Sequence, residues 1–140
     1  MHGIDSPSKL SQYKKLLRRF NKGLLGAMND VGDCIYKSGK QTCGVGALFN
    51  AAQLKDIQKR DLNDTRIGMV ASDIGQKNIE AVTGFTIEEL EQMQTMHDAA
   101  YSWNDTSNEF KQWLEMKILE ESIEVEIQKL KDNPPVLPVV

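Results

Sequence analysis

From Thr106 to Lys131 apolar residues recur along two lines of a helix at once, and this pattern constrains the fold more than anything else in the chain. Trp113, Met116, Leu119, Ile123, Ile127 and Leu130 form one stripe, and Phe110, Leu114, Ile118 and Val125 form another about 100° around the axis. Thr106 and Glu109 have the spacing of a capping box at the start, and Asn133, Pro134 and Pro135 end the run, because proline has no N-H to continue the helical ladder. A helix with so wide an apolar face is either central to its own bundle or shared with a second subunit. The spacing therefore predicts a long amphipathic C-terminal helix and makes its first stripe, Trp113 to Leu130, a self-association seam.

The remaining chain supports the same class. Leu10, Tyr13, Leu16, Leu17, Phe20, Leu24 and Leu25 recur at three- and four-residue steps, which predicts a helix from about Ser8 to Met28 with Ser8 as its N-cap. Between Asp30 and Gly46 glycines interrupt any regular period, so a loop or short turns are expected. A second helix is expected over Ala47 to Leu62, burying Leu48, Ala51, Ala52, Leu54 and Ile57. Within Arg66 to Thr83 a short helix capped by Ser72 or Asp73 should carry Ile74, Ile79 and Val82 and stop at Gly84. Thr86 and Glu89 form another capping box, opening a helix that turns Leu90, Met93, Met96 and Ala100 inward. No sustained alternation of period two occurs, so no sheet is expected. The fold class is all-α, a single-domain bundle of four or five helices over residues 8–131, with a flexible N-terminal tail at 1–7 and a proline-rich C-terminal tail at 132–140. At 140 residues the chain is long enough to bury a core without staples.

Charge is divided unevenly. Residues 1–80 hold 13 Lys and Arg against 8 Asp and Glu, and residues 81–140 hold 4 against 12. The halves can attract each other, or the basic half can serve an anionic partner. The densest basic run is Lys14, Lys15, Arg18, Arg19 and Lys22 on the first helix, a face suited to nucleic-acid phosphates, an anionic membrane surface or an acidic partner. The alternative is a solvated face.

Catalytic and metal chemistry find little support. Cys34 and Cys43 lie near Lys37 and Lys40, where a thiolate would be favoured, but their spacing is not that of a thioredoxin pair, and two unpaired structural cysteines in a reduced compartment are expected. His2 and His97 are the only histidines, too few for a di-iron bundle or a zinc cluster, and His97 is expected at a helix surface or boundary. No stretch reaches the roughly 18 apolar residues of a membrane span, and no secretory signal is apparent, so a cytoplasmic location is expected. The Asn63 and Asn104 sequons would matter only in an exported chain.

Two further motifs bear on function. Gln76 to Thr95 places Gly84, Ile79, Phe85, Leu90 and Met93 as in a helix-turn-helix, but Glu80 stands where a small residue is usual, and Glu88, Glu89 and Glu91 would repel phosphate. A packing corner is the expectation. Glu88 with Glu91 and Glu121 with Glu124 form two acidic pairs at three-residue spacing. Over these four residues the chain resembles the all-α nucleoside triphosphate pyrophosphatases, departing from them in its final Glu and longer separation. That resemblance implies a Mg-dependent nucleotide hydrolase; acidic residues on solvated helix faces explain the same letters. The reading that follows is a non-enzymatic, self-associating interaction or regulatory protein, with no catalytic residue, metal or cofactor. A nucleic-acid or membrane-surface binder and the hydrolase are its alternatives.

Overall fold

The computed structural model describes residues 7–27, 35–63, 65–101, 107–134 and 136. They form six α-helices and one two-stranded ribbon: α1 (Lys9–Asn21), β1 (Lys37–Ser38), β2 (Gln41–Thr42), α2 (Ala51–Lys59), α3 (Ile67–Ile74), α4 (Gln76–Thr83), α5 (Ile87–Tyr101) and α6 (Ser107–Asp132). The molecule is mostly helical, as periodicity predicted. The ribbon corrects the expectation of no sheet. It pairs Lys37 with Thr42 and Ser38 with Gln41, antiparallel, around Gly39-Lys40. Gly39 adopts φ +60° at the first central position, where a two-residue hairpin turn demands glycine. Strands this short leave no room for a period-two signal.

Helix ends follow local chemistry. Ser8 caps α1, its hydroxyl accepting from Ser11 N at 3.1 Å. The helix stops at Asn21 rather than continuing toward Met28, because Gly23 turns the chain at φ +70°. The second expected helix starts late. Gly46–Leu48 is a 3-10 turn, Phe49 is extended, and Asn50 caps α2 by accepting from Gln53 N at 2.8 Å. That start sets the phase of α2, so Gln53 and Ile57 face inward and Ala51 and Ala52 are exposed, contrary to expectation.

The segment before Gly84 is two helices, not one. Gly75 at φ +97° breaks it, and Ser72 and Asp73 lie inside α3 rather than capping α4. Gly84 ends α4 in the left-handed conformation, as expected, and a side chain there would strike the carbonyl of Pro7. Thr86 and Glu89 form their capping box reciprocally, at 3.0 and 3.2 Å. Thr106 lies outside the described residues.

α6 runs along both α1 and α5, and α5 also packs on α3 and α4. Leu16, Ile57, Ile67, Ile79, Leu90, Met93 and Leu114 are buried completely, each worth about 1.5–3 kcal/mol relative to exposure. Rings join the elements: Tyr13 meets Phe85 and Trp113 edge-on at 5.1 and 5.9 Å, and Phe110 stacks on Trp113 at 5.9 Å. Met96 packs against this core and Ala100 lies within it. The Gln76 to Thr95 corner is a packing corner whose Glu80 accepts from Ile87 N at 3.2 Å at the start of α5. Among the described residues no helix is long and apolar enough to cross a membrane.

Candidate functional site

Two surfaces stand out. The first is the outer half of α6. Its inner stripe divides at the edge of the body: Phe110 and Leu114 are buried, Ile118 is half-buried, and Val125 is exposed. From Ile123 onward every residue to Pro134 is exposed, so this end of the helix projects from the core. Of the expected seam, Trp113 is half-buried against Tyr13 and Phe110. The other five residues face solvent, from Ile127 at 39% to Leu119 at 61%. Met116 and Leu130 lie seven residues either side of Ile123, and Leu119 and Ile127 four either side. The exposed stripe is thus a palindrome in position. The carboxylates beside it, Glu120 and Glu126, fall about 60° to opposite sides of the Ile123 line at 100° per residue.

The second surface is basic. Lys14 and Arg18 on α1 and Lys22 at its C-terminal cap are exposed, whereas Lys15 and Arg19 are half-buried. Arg19 holds the ribbon against the helix: its guanidinium donates to Leu24 O at 3.2 Å, Lys40 O at 3.3 Å and Thr42 Oγ1 at 3.3 Å. Its Nε is buried without a partner. Folding the ribbon onto α1 brings Lys37 and Lys40 beside Lys15 and Arg19, around a cleft of about 520 Å³ floored by Leu24, Ala47, Phe49 and Leu54. Burial lowers the pKa of Lys15, and the neighbouring Arg19 and Arg18 lower it further. The basic helix was legible in the sequence. The two ribbon lysines were not, because their place depends on a turn joining distant segments.

Other expected chemistry is dispersed. His97 is completely buried, not at a surface or boundary, and its Nε2 accepts from Gly26 N at 3.0 Å. The proton therefore sits on Nδ1, facing Asp98 Oδ1 at 3.2 Å, and the ring's basic nitrogen is occupied. Among the described residues no three His, Cys, Asp or Glu side chains converge as metal ligands, so the pairs Glu88/Glu91 and Glu121/Glu124 do not form one cluster. Glu89 instead pairs with Lys9 at 2.8 Å. The expectation of two free thiols is corrected: Cys43 is buried and disulfide-bonded, and Cys34, the chain's other cysteine, lies outside the described residues. The Asn63 side chain braces β1, accepting from Lys37 N at 3.1 Å and donating to Lys37 O at 3.0 Å. Asn104 lies outside the described residues.

Sequence periodicity did not disclose the buried amides. Gln94 Oε1 accepts from Ile67 N at 3.0 Å, supplying from α5 the N-terminal cap that Arg66 does not give α3. Gln94 Nε2 donates to Tyr36 Oη at 3.1 Å, and Tyr36 in turn donates to Thr65 O. Gln12 Nε2 closes the other end of the corner on Thr83 O at 3.0 Å. The chain matches no family model, no curated protein and no solved structure at a significant level.

Proposed function

We propose that the chain is a non-enzymatic interaction protein that pairs with a second copy of itself through the outer half of α6. The observation carrying this reading is the exposed stripe Met116, Leu119, Ile123, Ile127 and Leu130, set symmetrically about Ile123. A two-fold axis beside Ile123 superposes such a stripe on itself in antiparallel orientation, which is what an isologous contact requires. It also keeps Glu120 and Glu126 on opposite flanks, so the like charges do not oppose each other across the seam. An unrelated partner would not call for this symmetry.

Sedimentation velocity at tens of micromolar protein is expected to show a dimer. The Ile123→Glu, Ile127→Glu variant is expected to be a folded monomer with its helicity retained, since both side chains are exposed and neither belongs to the core; its melting temperature should fall only by the stabilisation that pairing contributes. A wild-type chain that stays monomeric at high micromolar concentration overturns the reading.

A second reading concerns the basic helix. Lys14, Arg18 and Lys22 are exposed and meet no carboxylate among the described residues, which supports an acidic partner, nucleic acid or anionic membrane on that face. Salt-dependent retention on heparin, lost in Lys14→Glu, Arg18→Glu, Lys22→Glu, tests it.

A further inference from the structure

We propose that the cleft between α1, the hairpin and the turn leading into α2 is a binding site for a small phosphate-bearing anion. Four cationic side chains, Lys15, Arg19, Lys37 and Lys40, line it, and no carboxylate does. None of the four forms an ion pair among the described residues. Arg19 meets only neutral oxygens, so its charge is positioned without being neutralised. Partly buried like charges gathered without a counter-charge destabilise a fold, and a bound anion removes that penalty. Burial lowers the pKa of Lys15 there, and the charges of Arg19 and Arg18 lower it further.

Size and lining favour a small ligand over a polymer. The volume of about 520 Å³ falls in the range of roughly 300–1,000 Å³ typical of small-molecule sites. Binding a single-stranded nucleic acid calls for exposed rings on which bases stack. The cleft's one ring, Phe49, is buried against Tyr36 with centroids 5.5 Å apart. Phosphate suits the donors present: two ribbon lysines can approach as mobile point charges while Lys15 and Arg19 hold fixed positive charge at the wall.

The test is titration calorimetry of the full chain with inorganic pyrophosphate and with ADP at constant ionic strength, alongside melting curves of the free proteins. Saturable binding and a rise in melting temperature are expected. Lys37→Gln, Lys40→Gln should weaken binding at least about ten-fold, the effect of losing one charge-assisted contact. Lys14→Gln, Lys22→Gln removes the same charge from the exposed face and should leave affinity within about two-fold, well inside that contact energy. ADP binding tighter than pyrophosphate identifies a nucleotide, and equal affinity identifies the inorganic anion. Absence of binding at millimolar pyrophosphate, equal weakening in both variants, or binding of RNA that pyrophosphate does not displace would overturn the proposal. The Ile123→Glu, Ile127→Glu protein should bind normally, which separates this site from pairing through α6.

Discussion

The backbone N-H of Gly26 points at His97 Nε2 across 3.0 Å, joining the turn after α1 to the middle of α5. His97 also stands edge-on to Phe110 at 5.9 Å, so one side chain on α5 touches both the turn after α1 and α6. Asp98 continues the link by accepting from Arg66 at 3.2 Å, and Arg66 reaches Thr95 Oγ1 at 3.0 Å. The histidine is thus a structural bridge.

His97→Ala should accordingly cost roughly 3 kcal/mol, from a cavity at Phe110 and a half-buried amide left without its acceptor. Urea denaturation measures it. A loss below about 0.5 kcal/mol, the scale of an ordinary surface change, would show that the bridge is not needed.

Gln94 and Tyr36 act as a pair on α3. Tyr36→Phe and Gln94→Met should each cost about 1–2 kcal/mol, because each leaves buried polar groups unmatched. The double variant should lose less than the sum by about 0.5 kcal/mol or more, as expected of contacting residues in one hydrogen-bonded chain. Strict additivity in a double-mutant cycle would refute the coupling.

Arg18 and Arg19 are neighbours in sequence with different work. Arg19→Ala should destabilise by about 1–2 kcal/mol through loss of three hydrogen bonds to carbonyl and hydroxyl oxygens, and Arg18→Ala by no more than about 0.5 kcal/mol. Thermal melting compares them directly.

Glu89 predicts the acid limb of the stability curve. Burial raises its pKa, but hydrogen bonds from Lys9 and Thr86, and the charge of Lys9, more than reverse this and hold it below the ordinary value of 4.5. A folded-state pKa below the unfolded one means that the stabilisation is complete above the unfolded pKa and is lost as pH falls through the folded value. Glu89→Gln should therefore be less stable than wild type at neutral pH, with the gap narrowing below pH 4.5. A gap independent of pH would assign Glu89 to packing alone.

Gly46 has no room for a side chain. A Cβ there would overlap the backbone of Tyr36, so Gly46→Ala should cost at least about 2 kcal/mol and shift the ribbon. An unchanged melting temperature would show that the turn can move aside.

Helical character, the caps at Ser8 and Thr86, the stop at Gly84 and the inward positions Leu90, Met93 and Ala100 were all legible in the sequence. Each rests on contacts within a few residues, where periodicity and cap chemistry act directly. The break at Gly75, the ribbon around Gly39 and the phase of α2 were not, because glycine permits several backbone paths and packing selects among them. Both stripes of α6 could be read from spacing, but only the fold decided that Phe110 and Leu114 meet the core while Leu119, Ile123 and Leu130 pass beyond it. The cleft divides in the same way. Lys15 and Arg19 lie one helical turn apart and are visible as a basic face. Lys37 and Lys40 join them through chain folding across about twenty residues, and Gln94 caps a helix 27 residues upstream. A linear pattern reports which residues share one element; the meeting of elements is set by the burial of many side chains together, which no local spacing encodes.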